Sequence, residues 1–283
     1  MSEPAGALVV AATPIGNVGD ASARLRRELG RADVVAAEDT RRLRRLCSDL
    51  EVALTGRVVS LFEGNERARV TDVTEAVRAG QRVLLVTDAG MPLVSDPGYR
   101  VVAGCVEQGL PVTVLPGPSA ALAALVVSGL PADRFCMEGF LPRKPGERDR
   151  RLDQIVHDAR THIFFESPRR TAATLRAMAD VLGADRPAAV CRELTKTHEE
   201  VRRGTLASLA SDTDERVLGE VTIVVAGRPP GASDADPVAL VADRESAGLT
   251  RKEAIADVAR ELGRPKREVY AAVVASGGSA PDP

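Results

Sequence analysis

The chain has 283 residues, enough for one large or two ordinary domains with a sizeable core, and a net charge of −2 that does not mark the whole molecule as a nucleic-acid binder. Hydrophobic residues make up 44% and aromatics 2%, and no run approaches the roughly 20 unbroken apolar residues of a membrane span. No basic stretch precedes the first apolar run, as it would in a signal peptide, and Cys47, Cys105, Cys136 and Cys191 lie far apart without C-x-x-C spacing. That cysteine usage speaks against structural zinc and a disulfide framework, and it reads as neutral thiols of a reducing cytoplasm.

In chain order, apolar runs at Ala7–Thr13, Val34–Ala37, Val58–Leu61, from Leu84, and at Val112–Leu115 each lead into a polar or Gly/Pro loop. The loops are TPIGN (Thr13–Asn17), EDTR (Glu38–Arg41), FEGNE (Phe62–Glu66), DAGMPLVSDPG (Asp88–Gly98) and PGPSA (Pro116–Ala120). Helical segments near Asp20–Gly30, Thr40–Leu46, Arg67–Ala79 and Tyr99–Gln108 alternate with them. This α/β alternation predicts a parallel sheet whose ligand crevice opens at the carboxyl ends of its strands. Residues 1–118 form the first predicted domain. An apolar helix at Ser119–Ser128 leads into the second, residues 119–228, again α/β. Its strands fall near Phe135–Phe140, His162–Glu166, Ala188–Leu194, Glu199–Arg203 and Val221–Ala226. Its helices fall near Glu147–Ala159, Arg169–Leu182 and Leu206–Asp212. A turn-rich linker, Gly227–Pro237, precedes a helical region at 237–275 and a polar tail from Ser276. In that region Thr250 caps one helix, Gly263 ends it and Pro265 opens another, a helix-turn-helix-like pair.

Neither G-x-G-x-x-G nor G-x-x-x-x-G-K-[ST] occurs, so a dinucleotide or P-loop phosphate site is not supported. The DAGMPLVSDPG and PGPSA loops instead offer backbone polar groups and small side chains, suited to a nucleoside carrying a cation rather than a polyphosphate. Positive charge is concentrated locally. Arg24–Arg45 holds eight arginines against four acids, and Leu141–Arg151 five bases against two.

ATPIGN (Ala12–Asn17), AAEDTRR (Ala36–Arg42), TDAGMPLVSDPGYR (Thr87–Arg100), LPGPSA (Leu115–Ala120), GFLPRKPGER (Gly139–Arg148), FESPRR (Phe165–Arg170), RELTK (Arg192–Lys196) and RGTL (Arg203–Leu206) together resemble the ribosomal RNA small subunit methyltransferase I family, a branch of the tetrapyrrole methylase superfamily. The resemblance implies two α/β domains with S-adenosyl-L-methionine folded between them. It also implies 2′-O-methylation of a cytidine ribose in the decoding region of 16S rRNA, within the 30S subunit, by a cytoplasmic homodimer. Pro14, Asp88, Ala89, Gly90, Met91, Val94, Ser119 and Ala120 would line the cofactor from one side, and Phe165, Leu194 and Thr222 from the other. No metal is implied.

A ribose hydroxyl needs its proton accepted or its oxygen polarised before it attacks a methyl group. Glu38, Asp39, Glu63 and Asp88 are candidate acceptors, although Glu38 or Asp39 serves equally to cap the helix from Thr40. Lys196 polarises the hydroxyl, holds a phosphate or forms a plain salt bridge. Arg41, Arg42, Arg143, Lys144, Arg148, Arg169 and Arg170 are candidate phosphate contacts, and Asn65 reads a base edge or shapes a turn. The family pattern places histidines where this chain has Gly64 and Arg169, so no histidine base is assigned. His157, His162 and His198 are expected to be structural or exposed. A different methyl acceptor, tetrapyrrole or protein, and a non-enzymatic rRNA-binding factor are the alternatives.

Overall fold

The computed structural model describes residues 6–213, 218–228, 236–262 and 266–276. Five strands, β1 (Ala7–Ala11), β2 (Val34–Ala37), β3 (Arg57–Ser60), β4 (Arg82–Val86) and β5 (Val112–Leu115), form one all-parallel sheet in the order β3-β2-β4-β1-β5. β1 and β2 are buried at every residue, as continuous apolar strands of a sheet covered on both faces must be. Helices α1 (Ala23–Arg31) and α2 (Thr40–Asp49) cover one face through Leu25, Leu29, Leu43 and Cys47. Helices α3 (Glu66–Arg78) and α4 (Tyr99–Glu107) cover the other through Val73, Val77, Val101 and Cys105. Ser22 caps α1 by accepting from Leu25 N–H, and Asp39 caps α2 by accepting from Arg41 N–H.

Helix α5 (Ala120–Ser128) ends at Gly129 in the left-handed conformation and leads into the second domain. There β6 (Phe135–Phe140), β7 (Thr161–Glu166), β8 (Pro187–Arg192), β9 (Glu200–Thr205) and β10 (Val221–Val225) form a mixed sheet in the order β6-β7-β10-β8-β9. Only β6 and β7 are parallel. α5 packs on one face beside Ile163, Ala189 and Val224, joined by Ile15 from the first domain. The opposite face carries α6 (Pro145–Asp153), α7 (Thr171–Leu182) and α8 (Leu206–Asp212) around Leu152, Phe164, Leu175 and Met178.

The C-terminal region contains α9 (Pro237–Ser246), α10 (Arg251–Glu261) and α11 (Lys266–Ala275), with a core of their own built on Val241, Ala254, Val258, Val269 and Val273. Asp236 and Pro237 start α9, a helix not assigned from the sequence because its Asp-Pro start was read as the end of the linker. Gly263, Pro265, most of the linker and the tail after Ser276 lie outside the described residues.

Two predicted elements are shorter in the structure. β8 stops at Arg192 rather than Leu194, because Glu193 (φ 49°) and Thr195 (φ 68°) turn left-handed. α6 stops at Asp153, followed by turns rather than by a continuous helix to Ala159.

Candidate active site between the domains

Beyond β1 and β4 the chain crosses itself. Thr13 and Gly90 exchange two backbone hydrogen bonds, of 2.9 and 3.1 Å, which tie the 87–98 loop to the loop after β1. Gly90 sits at φ 80°, and a Cβ there would lie 3.3 Å from Ile15 Cγ2, so both conformation and space call for glycine. Leu93 (φ 74°) and Ser95 (φ 67°) occupy the same left-handed region without being glycine, backbone strain of the kind that gathers at ligand sites. The far end of the loop is held by the buried Glu66, whose Oε1 accepts from Gly98 N–H (3.0 Å) and Arg100 N–H (2.7 Å).

The second domain closes over this loop. Asn17 N–H donates to Thr195 Oγ1 at 3.1 Å, a side chain on Gly16 would collide with Lys196, and Gly139, at φ 70° on the β6 bulge, faces Ser95. Between the domains lies a cavity of about 330 Å³. Ile15, Ala89, Gly90, Met91, Val94, Ser95, Asp96, Ser119 and Ala120 line it from one side, and Phe140, Phe165, Glu166, Ser167, Pro168, Glu220, Val221 and Thr222 from the other. Eight of the predicted cofactor residues thus meet in one place: Ala89, Gly90, Met91, Val94, Ser119, Ala120, Phe165 and Thr222.

The other three line neighbouring spaces. Pro14 and Asp88 face a smaller recess with Thr13, Asp39, Arg42 and Leu43. The chain bends at Ile15, which lines the cavity, while Thr13 and Pro14 before it line the recess. Asp88 is drawn toward the end of β2, accepting from Asp39 N–H (3.1 Å) and pairing with Arg42 (3.4 Å). Leu194 follows the left-handed Glu193 and lines an open apolar groove with Leu122, Val126 and Thr195. Conversely, Asp96, Ile15 and the Glu166–Pro168 stretch were missed as lining residues. The signals are local ones: Ile15 belongs to TPIGN, Glu166–Pro168 to FESP, and Asp96 to SDPG, a Pro-Gly turn of the type that brings a side chain and backbone close to a ligand.

The candidate acids differ sharply. Asp39 is the α2 cap, and both its oxygens bind Arg41, which holds the carboxyl at about 2 and leaves it a poor proton acceptor. Glu63 is exposed on its loop. Glu38 is half-buried with Oε2 3.3 Å from Asp88 N–H; burial pushes its carboxyl up against that hydrogen bond, and the charges of Asp88 and Asp39 push the same way. Burial likewise raises Asp88, with Arg42 opposing. Asp96 goes furthest, pushed up to about 7 by burial and then by Glu38 and Asp88, with the Thr87 hydroxyl pulling the other way.

Lys196 is a salt-bridge residue. Its Nζ lies 2.9 Å from both Glu193 Oε1 and Glu220 Oε2; burial disfavours the charge, but the two carboxylates outweigh it and raise the ammonium. Of the predicted phosphate contacts, Arg41, Arg42, Arg143, Lys144 and Arg169 are exposed on loops and helix starts at the strand ends. Arg170 is not available for such a role. It donates to Leu141 O (2.9 Å) and Pro142 O (3.2 Å) and pairs with buried Glu166, so it shapes the GFLPRK loop from within. Arg148 is half-buried beside Asp149. Asn65 bridges Phe62 N–H and Ser60 O across its own turn, which is the turn reading, not base contact. At Gly64, where the family pattern has histidine, a Cβ would come within 2.9 Å of the Phe62 ring. His157 and His198 are exposed and His162 is buried.

Away from the cavity, Cys136, Glu138 and His162 bring three donor atoms within 4.8 Å of one another. Glu138 there is already paired with His162 Nδ1 (2.8 Å) and Arg151 (2.5 Å).

The sequence profile described as Tetrapyrrole (Corrin/Porphyrin) Methylases matches residues 7–210. A ribosomal RNA small subunit methyltransferase I of Mycobacterium tuberculosis (strain CDC 1551 / Oshkosh) is 52% identical over 272 residues, 96% of this chain and 95% of that protein. One of the same name from Mesorhizobium japonicum is 42% identical, covering 93% of this chain and 90% of the relative. Among solved structures, the uroporphyrin-III C-methyltransferase of Thermus thermophilus complexed with S-adenosyl homocysteine superposes with a TM-score of 0.52 at 19% identity, over 77% of this chain and 96% of that one.

Proposed function

Since the chain belongs to the tetrapyrrole methylase family, and within it to the ribosomal RNA small subunit methyltransferase I group, we propose that it methylates the ribose 2′-hydroxyl of a cytidine in the decoding region of 16S rRNA. It is an S-adenosylmethionine-dependent rRNA methyltransferase. The observation that carries the reading is the cavity between the domains, walled by small side chains and backbone around Gly90 and bordered by carboxylates. A polyphosphate would be repelled by such a lining, whereas a nucleoside with a positive sulfonium is favoured by it.

The group fits this chain. Gly90, Met91 and Ala120 would hold it from the first domain side and Phe165 and Thr222 from the second, and a Cβ at position 90 would take space where backbone must approach. Bound there, it supplies an electrophilic methyl carbon on sulfur. The protein's own work is to align the acceptor oxygen with that carbon, to keep water out by domain closure, and to take up the hydroxyl proton.

Exposed Arg143, Lys144 and Arg169 support an rRNA acceptor, and Arg41 and Arg42, exposed but paired with Asp39 and Asp88, would join them by exchanging those carboxylates for phosphates. We place the acceptor within the 30S subunit and the enzyme in the cytoplasm; among the described residues no helix is long and apolar enough to cross a membrane. A second copy of the chain would cover Leu122 and Val126 of α5 and Val114 of β5, which are exposed large apolar side chains.

The test is incubation with labelled S-adenosylmethionine and 30S subunits lacking the modification, followed by digestion and mass spectrometry. The expected product is 2′-O-methylcytidine from the decoding region. Cofactor binding without transfer to 30S or free 16S rRNA would overturn the acceptor.

A further inference from the structure

We propose that Asp96 is the residue that accepts the proton of the acceptor hydroxyl during methyl transfer. The proposal rests on the reading of the cavity as the cofactor and acceptor site. Its first support is position. Asp96 lines the same cavity as Gly90, Met91, Phe165 and Thr222, on a loop fixed by the Thr13–Gly90 bridge at one end and by Glu66 at the other.

Its second support is that the other acids near the site are engaged. Arg41 occupies both oxygens of Asp39. Asp88 accepts from Asp39 N–H and faces Arg42, and Glu38 accepts from Asp88 N–H. Glu166, also at the cavity wall, is bound by Ser167 N–H (2.7 Å), Thr174 Oγ1 (2.6 Å) and Arg170 (3.3 Å). Glu220 is held by Lys196. Among the described residues Asp96 has no arginine or lysine partner and is touched only by the Thr87 hydroxyl, so its carboxylate is the least committed of these acids.

The surrounding charges set its proton affinity. Glu38 acts on it from the end of β2 and Asp88 from the end of β4, while Arg42 of α2 is spent on Asp88 and Asp39 on Arg41. Glu66 from α3, and Glu166 and Glu220 from the second domain, add no positive charge. Burial first, then the charges of Glu38 and Asp88, keep Asp96 protonated to about neutral pH in the free protein. A sulfonium brought into the cavity favours the ionised form, so cofactor arrival converts Asp96 into a base whose strength suits the reaction. In the step itself the 2′-oxygen forms a bond to the methyl carbon, the carbon–sulfur bond breaks with its electron pair left on sulfur, and the hydroxyl proton passes to an Asp96 oxygen. S-adenosylhomocysteine, methylated ribose and the neutral acid are the products.

Wild-type protein, Asp96→Asn, Asp96→Glu and Glu38→Gln decide it through two measurements. The first is calorimetric S-adenosylmethionine binding at pH 7 in buffers of different ionisation enthalpy. The second is single-turnover transfer to unmodified 30S subunits between pH 6 and 9. Wild type is expected to release a proton on binding and to show a rate that rises with pH through a limb at or below 7. Asp96→Asn should bind the cofactor within about threefold, release no such proton, and lose about 10²–10⁴-fold in rate with no limb. Asp96→Glu should recover part of the rate with a displaced limb, and Glu38→Gln should keep the limb. A rate loss under about tenfold in Asp96→Asn with the limb intact would overturn the proposal. So would a loss of cofactor affinity above about tenfold, which would make Asp96 a cofactor ligand instead. Wild-type protein that binds cofactor but never methylates 30S overturns the substrate reading; Asp96 is then judged by proton release alone, and its absence overturns this proposal too.

Discussion

Two groups of half-buried and buried acids, one in the second domain and one at the strand ends of the first sheet, behave oppositely. Under α6, Glu138 pairs with Arg151 and His162, and Asp158 with Arg160, whose guanidinium holds the Asp158 carboxyl well below the usual carboxylate range. At the strand ends of the first sheet, Glu38 and Asp88 share one facing arginine, Arg42, which does not act on Asp96, and all three carboxyls are pushed up. Burial acts on both groups; the supply of counter-charge differs. Acids with partners hold structure, and acids denied them are kept ready for something that arrives from outside.

The comparison can be broken in several ways. The largest effect is expected from Gly90→Arg, which fills the cavity beside the second group. Calorimetry should show cofactor affinity falling by more than about 100-fold, roughly 2.7 kcal/mol, with the fold retained. Unchanged affinity would move the site elsewhere. Next comes Glu138→Gln, which removes the charge shared by Arg151 and the buried His162. Urea unfolding should show a loss of about 2 kcal/mol, reduced from a fully buried pair because Arg151 is partly solvated.

Replacing Arg143 and Lys144 together by Ala should weaken 30S or rRNA binding by about tenfold and flatten its salt dependence, while cofactor affinity stays unchanged. The smallest effect has the opposite sign to Glu138→Gln. Asp96 in the folded protein keeps a proton that the unfolded chain loses above its ordinary carboxylate range, so stability falls as pH rises from about 4 toward 7. Asp96→Asn removes that loss. At pH 8 it should melt about 2–4 °C above wild type, on the order of 1 kcal/mol, and at pH 4 the two should coincide. A lower melting point at pH 8 would place Asp96 among the paired acids.

Much of this was legible in the residues. The five strand-ending loops of the first domain, with Gly90 and the Ser119–Ala120 turn, read directly as a crevice because glycine and proline placements carry local geometry. What the sequence withholds is juxtaposition. Nothing in SDPG marks Asp96 out, since its character comes from burial in the folded cavity and from Glu38, 58 positions away in the chain. Arg170 read as a surface cation because nothing local shows that the carbonyls of Leu141 and Pro142 turn back onto it. Leu194 was extended along β8 because an apolar run does not reveal left-handed turns at Glu193 and Thr195.

Glu66 gives the molecule one more property. Its carboxylate starts α3, directly after the Phe62–Asn65 turn, and clasps the first amides of α4, directly after the Asp96–Gly98 turn. The two turns are therefore fastened to one rivet. A push on the outer turn would reach the inner one through this single carboxylate, with no rearrangement of the core between them.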